Sequence, residues 1–417
     1  MENRQKVFVV STNFSPSSQE EIQGLVEADG GEVLETIYQK LDAPLPAYLG
    51  KGKIEEIKIL ARELELDLLV VNDSLKGSQL RNLEKALDLQ VIDRTHLILD
   101  IFATRARTRQ AKLQVRLAQL RYGKSRLIGS YSLSKAGGGI GTRGPGEQKL
   151  ELDRRKIDGD IHSIENQLKK IKVQRREQLK RRDQSSLPIV SLVGYTNAGK
   201  SSMMNALLGE KKDKAVEVKD MVFATLDTSL RSVKLLDQRE VILADTVGFI
   251  TDLPDLLMEA FTSTLEELKA SDLLVHVLDG TSPRVQEEYR DTLEILKKLD
   301  LLTIPRLTVV NKMDTEDIPR PHLYPLAKDV LYYSVKEGPL ELLEEKILEG
   351  LKDQWTQGSL HFSFEDQSTV SKILEKYPKA QVTYDETGCL VTGSFLKKDY
   401  RAYEKEGLWS SPYYKRA

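Results

Sequence analysis

Gly194-Tyr195-Thr196-Asn197-Ala198-Gly199-Lys200-Ser201 sets two glycines, a lysine and a serine at the spacing G-x-x-x-x-G-K-[ST]. The apolar stretch LPIVSLV runs into it and Ser202-Met203-Met204-Asn205-Ala206-Leu207 follows, which places the motif between a strand and a helix. Glycines permit a loop whose amides turn inward onto phosphate oxygens, and the start of a helix adds partial positive charge. In such a loop Lys200 is expected to reach the β- and γ-phosphates, and Ser201 to ligate Mg²⁺ with Ser202 beside it. Asp245 ends the strand REVILAD and has the position of an acid that holds Mg²⁺ through water. Thr246, Val247 and Gly248 follow it, and the Gly248 amide is expected at the γ-phosphate. Between these blocks lies Phe223-Ala224-Thr225-Leu226-Asp227. A switch segment needs a threonine that ligates Mg²⁺ only when the γ-phosphate is present. Thr225 fits that role, with Thr228 as the second candidate. The expected catalytic set is therefore Lys200, Thr225, Asp245 and Gly248.

Asn311-Lys312-Met313-Asp314 ends the strand RLTVV and decides the base. A carboxylate can accept from both N1–H and the 2-amino group of guanine, whereas adenine offers neither. Ser334 and the Val335 amide, at the next strand end, are candidates for the guanine edge. The residue after DTVG is Phe249, which has no hydrogen-bonding side chain and cannot orient a water as a glutamine would. Two substitutes remain open. Asn197 could help hold a K⁺ beside the phosphates, or merely shape the loop; a bound partner could order the switch segments instead.

The elements that position these residues can be read from patterning. The first 100 residues alternate strand and helix: KVFVV, SSQEEIQGLVEA, GEVLETIYQ, GKIEEIKILAREL, DLLVVND, SQLRNLEKALDL and QVIDR. That alternation predicts an α/β domain with a mainly parallel sheet. Within it LGKGK, Leu49 to Lys53, is either a phosphate-holding helix start or an ordinary turn. From Thr95 the pattern turns helical and basic. Leu113, Leu117 and Leu120 form one stripe, and Ile157, Ile161, Ile164, Leu168 and Ile171 form a heptad seam. Two such helices bury their stripes as an antiparallel hairpin. The segment from Tyr122 to Arg155 reads as a loop between them, with six glycines from Gly137 to Gly146. Gly137, Gly138, Gly139 and Gly144 allow close backbone approach, and Lys135, Arg143, Lys149, Arg154 and Arg155 supply phosphate contacts, so the loop reads as a basic RNA probe or as a flexible connector.

The formal net charge is −2, yet Arg105 to Arg182 holds 22 Lys and Arg against 7 Asp and Glu. Such asymmetry points either to a polyanionic partner for one segment or to a solvated basic helix face. No apolar run is long enough to span a membrane. Cys389 is the only cysteine, which excludes an internal disulfide and fits a reducing cytoplasm. The tail LHFSFEDQSTVSKILEKYPKAQVTYDETGCLVTGSF shows a strand, a helix and two strands around an ETG turn. The expected fold class is α/β multidomain: an N-terminal α/β domain (1–100), a long antiparallel helical hairpin with a Gly-rich tip (101–185), a P-loop GTPase domain (186–355) and a small C-terminal α/β domain (356–417). A monomer is expected.

The order of P-loop, FATLD, DTVGF, NKMD and SVK resembles translation-factor-class GTPases with an apolar residue after DxxG. With GKGK, DRTHLILDIFATRARTRQAKLQVRLAQLRY and GGGIGTRGPGEQKLELDRR upstream, the chain resembles the HflX-family GTPases over residues 5 to 350 and more loosely beyond. Arg116 stands where the family more often has glutamate, and Gln148-Lys149 depart from a commoner threonine-glutamine pair; both changes keep or increase positive charge. The resemblance implies GTP and GDP binding with Mg²⁺, slow intrinsic turnover, and binding to the large ribosomal subunit and its rRNA. It also implies GTP-dependent splitting of stalled or idle ribosomes, with the hairpin reaching toward the peptidyl-transferase centre, and in some members protection against ribosome-targeting antibiotics. The residues alone leave room for a large-subunit assembly GTPase or a GTP-gated protein adaptor.

Overall fold

Val7, Phe8, Val9 and Val10 are all buried, and this unbroken apolar run forms β1 (Gln5–Ser11), a strand covered on both faces. It sits inside a parallel sheet with β2 (Gly31–Tyr38), β3 (Leu68–Val71) and β4 (Gln90–Asp93), in the order β2-β1-β3-β4. The computed structural model describes residues 4–12, 15–40, 45–128, 145–182, 187–209, 229–235, 238–246, 248–250, 257–258, 265–315 and 330–405. Helices α1 (Pro16–Ala28), α2 (Lys51–Glu63), α3 (Gly77–Leu87) and α4 (Arg94–Arg105) cover the sheet. Helix α1 opens with Pro16 at its first position and Ser15 as its cap, accepting from the Ser18 amide at 3.3 Å. In LGKGK, Gly50 caps α2 without a side-chain hydrogen bond, and the Lys53 ammonium pairs with Glu56 at 2.7 Å.

The basic segment forms α5 (Arg109–Ile128) and α6 (Pro145–Arg182). Leu117, Leu120 and Ile164 are buried between them, with Leu113, Ile157, Ile161 and Leu168 packed alongside, as the seam predicts. Arg121 pairs with Glu165 at 2.8 Å, and Lys124 with Asp158. The segment expected as a loop from Tyr122 to Arg155 is helical at both ends. Helix α5 continues to Ile128 and α6 already begins at Pro145. Apart from Asp153, residues 147–155 are Glu, Gln, Lys, Leu and Arg, all good helix formers, behind a proline that suits a first turn.

Asp93 mounts this hairpin on the N-terminal sheet. The carboxylate is fully buried at the end of β4. It accepts from the amides of Leu75 and His96, each at 2.9 Å, from Arg126 Nη2 at 2.6 Å and from the Tyr122 hydroxyl. Two of its donors come from the N-terminal domain and two from α5. A buried charge is tolerated only when its lone pairs are met in this way.

The next sheet is built from β5 (Ile189–Val193), β6 (Ser229–Lys234), β7 (Glu240–Asp245), β8 (Leu273–Asp279), β9 (Arg306–Asn311) and β10 (Val330–Tyr332). Its order is β10-β9-β8-β5-β7-β6, parallel except for β6 against β7. Helices α7 (Lys200–Leu208), α8 (Val285–Lys298) and α9 (Leu340–Gly350) flank it. The chain leaves β5 toward β7 on one side and reaches β8 on the other. The end of β5 is thus the switch point where open α/β sheets bind ligands. Beyond it, β11 (Trp355–Phe362), α10 (Gln367–Lys376), β12 (Gln381–Tyr384), β13 (Cys389–Leu396) and α11 (Lys397–Lys405) form an antiparallel sheet, order β11-β13-β12, with helices on one face. Its core runs without a break into that of the six-stranded sheet, from Val190 through Ile347 and Trp355 to Phe395. Cys389 is a buried strand residue. No helix among the described residues is long and apolar enough to cross a membrane.

Candidate functional site

The loop between β5 and α7 takes three left-handed turns, at Gly194 (φ 145), Asn197 (φ 61) and Gly199 (φ 94). Glycine is required at both outer positions. A Cβ on Gly194 would run into the Val277 carbonyl, and one on Gly199 into Asn311 Nδ2. Asparagine tolerates the left-handed region, which accounts for Asn197 at the exposed middle. Lys200 is buried, and its ammonium donates to the carbonyls of Gly194 at 3.0 Å and Tyr195 at 2.5 Å. Burial pushes its pKa down to about 8, with Asp245 opposing the shift.

Ser201 Oγ donates to Asp245 Oδ2 at 2.7 Å, so the loop serine and the strand-end acid converge. Asp245 is fully buried, and Thr246 beside it donates to the Leu192 carbonyl at 2.7 Å. Gly248 lies against the loop so closely that a Cβ there would sit 2.7 Å from Thr196 Cγ2. The next residue fastens the two segments. The Phe249 amide donates to the Gly194 carbonyl at 3.1 Å, and the Phe249 carbonyl accepts from the Thr196 amide at 2.8 Å. Its ring is 3% exposed and belongs to a core with Val193, Tyr195, Leu265, Leu274 and Leu296. The side chain therefore points into packing, away from the loop's polar groups. Tyr195 strengthens the same anchor, its hydroxyl donating to Asp291 on α8 at 2.9 Å.

The four residues at the end of β9 form a second cluster. Asn311 Nδ2 donates to the Ala198 carbonyl at 2.9 Å, and its Oδ1 accepts from the Val335 amide at 3.0 Å, tying this loop to the phosphate loop. Lys312, at φ 65, reaches Asp279 at 2.7 Å. The Met313 amide donates to the Tyr333 carbonyl at 3.2 Å. Asp314 accepts from Ser334 Oγ at 2.7 Å, and this hydroxyl holds the carboxyl below its usual range, with Lys336 and Lys312 nearby. A carboxylate kept ionised at a strand end is suited to two N–H donors of a base.

Most of the expected nucleotide residues thus gather at one edge of the sheet: Gly194 to Ser202, Asp245, Thr246, Gly248, Asn311 to Asp314, Ser334 and Val335. Phe223, Ala224, Thr225, Leu226, Asp227 and the alternative Thr228 lie outside the described residues, as does Val247. So do Lys135, Gly137, Gly138, Gly139, Arg143 and Gly144. Of the remaining expected RNA contacts, Lys149 falls in the first turns of α6. Arg154 and Arg155 are exposed on α6, and Arg155 pairs with Glu151 at 3.1 Å. Sequence reading missed Asp279, which holds Lys312. Its signal was available, since VLDG puts an acid at a strand end in register with Asn311. It also missed the Tyr195–Asp291 tether, which nothing in the spacing announces.

The site has close counterparts. Residues 16–103 match the family described as GTP-binding GTPase N-terminal, 105–182 the GTP-binding GTPase Middle Region, and 189–312 the 50S ribosome-binding GTPase. The chain is 42% identical over 395 residues to the GTPase HflX of Caldanaerobacter subterraneus subsp. tengcongensis, covering 93% of this chain and 90% of that protein. It is 43% identical over 297 residues to the GTPase HflX of Escherichia coli K12, covering 71% and 69%. Among solved structures, a complex of SsGBP with GDP aligns with a TM-score of 0.51 at 26% identity, over 84% of this chain and 99% of that one.

Proposed function

The chain belongs to the HflX family of GTPases, and on that premise we propose that it is a GTP switch that binds the large ribosomal subunit and separates stalled or idle ribosomes. Binding of guanine nucleotide and hydrolysis of GTP to GDP and phosphate are the activity of the family and of this chain. The proposed nucleotide site comprises the P-loop Gly194 to Ser202, Phe223 to Asp227, Asp245 to Gly248, Asn311 to Asp314, Ser334 and Val335. Asp314 reads the base, and Asn311 joins base loop to phosphate loop. Lys200 exchanges its two carbonyl partners for phosphate oxygens, and the Gly248 amide meets the γ-phosphate.

A hard cation suits the oxygen donors of Ser201 beside the buried Asp245 carboxylate. Ser201 and Thr225 would hold Mg²⁺, Asp245 would act through water, and the ion would neutralise charge on the phosphates. K⁺ beside Asn197 would add to this neutralisation, and turnover in K⁺ against Na⁺ tests it.

One observation carries the reading: two residues that follow Gly248 are built into the N-terminal domain. Ile250 and Leu257 pack in one core with Val7, Leu25, Ile98, Phe102 and Val115. That domain holds the basic hairpin through Asp93. A change at the γ-phosphate sensor therefore has a packed path to a positively charged probe, which suits an RNA-rich target in the cytoplasm. Lys135, Gly137 to Gly139, Arg143, Gly144, Lys149, Arg154 and Arg155 are the proposed rRNA contacts. The proposal keeps the division at residues 100, 185 and 355, and a monomer as the working form. Phosphate release with and without purified large subunits is the test. Strong stimulation by subunits, falling as salt rises, is expected; turnover indifferent to subunits at low salt would contradict it.

A further inference from the structure

The C-terminal sheet lies beyond the matched families, whose last segment ends at residue 312. Its two faces differ. Leu360, Phe362, Val391 and Phe395 are buried on the face that packs against Val370 and Ile373 of α10 and Tyr400 of α11. Alternation along the strands and their register bring Gln357, Ser359, Thr392, Ser394 and Gln381 together on the other face. Polar groups alone on an open sheet face would be unremarkable. Here the face ends against Gln238 and Arg239, which precede β7, and a cavity of about 380 Å³ opens at the junction.

Besides the Glu240 carboxylate and apolar groups, the lining combines four kinds of group. The Arg239 guanidinium lies over the Trp355 ring, 4.6 Å from its centroid, and reaches Ser394 Oγ at 3.5 Å. Trp355 is 8% exposed, and its indole N–H has no acceptor among the described residues. Gln238, Gln357 and Gln381 supply amide edges that both donate and accept. Two lysines also line it. Lys376 is paired with Asp399 at 2.6 Å, whereas Lys379 is exposed and has no ion pair among the described residues.

We propose that this cavity binds a nucleotide, its base stacked on the Arg239–Trp355 layer and edged by the glutamine amides, its phosphate met by Lys379. Arginine planes and aromatic rings stack bases, amide side chains read base edges, and lysines take phosphates. A few hundred Å³ is the scale of a small-ligand pocket, enough for one such residue. An acidic peptide would satisfy Lys379 but would leave the stacking layer and the amides without partners. The ligand is either a free mononucleotide or one residue of a single-stranded RNA, which share this chemistry. The site is separate from the GTP site, because Glu240 at the cavity and Asp245 at the phosphates stand at opposite ends of β7, about 17 Å apart at a strand rise of about 3.4 Å per residue.

The chain has two tryptophans, so Trp409→Phe leaves Trp355 as the only indole reporter. With GDP saturating the GTP site, this variant is titrated with CMP, with AMP and with a mixed-sequence single-stranded RNA hexamer while Trp355 emission is followed. Saturable quenching is expected, weakened about tenfold by Lys379→Glu with GDP affinity unchanged, since one phosphate contact has been reversed in sign. Quenching by the hexamer alone assigns an RNA residue; equal quenching by mononucleotides assigns a free nucleotide. No saturable change with any of the three, or quenching that ignores Lys379→Glu, overturns the proposal. Equal quenching by a hexaglutamate peptide overturns it as well, by showing a site for anions in general.

Discussion

Phe249 occupies the place where a water-orienting glutamine would stand, and the structure makes it a packing residue. Phe249→Ala empties a site that is 3% exposed among Val193, Tyr195, Leu265, Leu274 and Leu296. A Phe-to-Ala change in a core costs about 3–5 kcal/mol. For a domain of this size each kcal/mol moves the melting temperature by about 2–4 °C, so the transition should fall by roughly 6–20 °C. Phe249→Leu keeps most of the volume and should cost about 1 kcal/mol. The hydrogen bonds of Phe249 to Gly194 and Thr196 are made by its backbone and survive either change. Single-turnover phosphate release by Phe249→Leu should therefore stay within about threefold of the parent, under 1 kcal/mol of barrier. Phe249→Gln should not accelerate turnover, because the new amide would enter an apolar core and destabilise it. Calorimetry and phosphate release on the same samples decide the matter. A tenfold loss of turnover in Phe249→Leu with unchanged melting would contradict a packing role alone and give the ring a chemical one.

Gly199→Ala should weaken GDP binding at least about tenfold in a fluorescent-nucleotide titration, because the new methyl strikes Asn311, which is held by Ala198 and Val335, and because φ there is 94. Burial pushes the Glu288 carboxyl up to about 7, from 4.5. The folded chain then keeps a proton that the unfolded chain loses above 4.5, so this group favours the fold at low pH and the benefit drains away as pH rises through 7. Its size is at most roughly 3 kcal/mol, and Glu288→Gln should flatten the melting temperature between pH 5 and 8; an unchanged slope would exclude Glu288 as the source. His276 is fully buried on β8, stacked on Tyr289 at 5.4 Å, with both ring nitrogens unpartnered among the described residues. Burial holds it neutral, down to about 3, and His276→Leu should raise stability by about 1–2 kcal/mol in denaturant unfolding; a loss of stability would point to a bound water that satisfies the ring.

Residue types that admit one chemistry were legible in the sequence. Gly194, Gly199, Lys200, Ser201, Asp245 and Asp314 lie where the spacing puts them, since each motif sits at a strand end and parallel strands bring those ends to one edge. The strand and helix alternation of the first domain and the hairpin seam were legible for the same reason, being periodic. The side on which Phe249 packs was not, because it depends on Leu265, Leu274 and Leu296 arriving from distant elements. The Asp93 joint was equally hidden, since the partners Leu75, Tyr122 and Arg126 are brought to it by tertiary packing. The tip loop was overestimated because glycines near its centre outweighed the helix formers after Pro145.

In the proposed cycle the GTP-bound state separates ribosomal subunits and hydrolysis releases the protein. Sucrose-gradient sedimentation of purified joined ribosomes, with this protein and a non-hydrolysable GTP analogue or with GDP, tests it most directly. Conversion to free subunits with the protein on the large one, in the analogue and not in GDP, is the predicted result. Joined ribosomes left intact under both nucleotides, with no protein on either subunit at low salt, would contradict it.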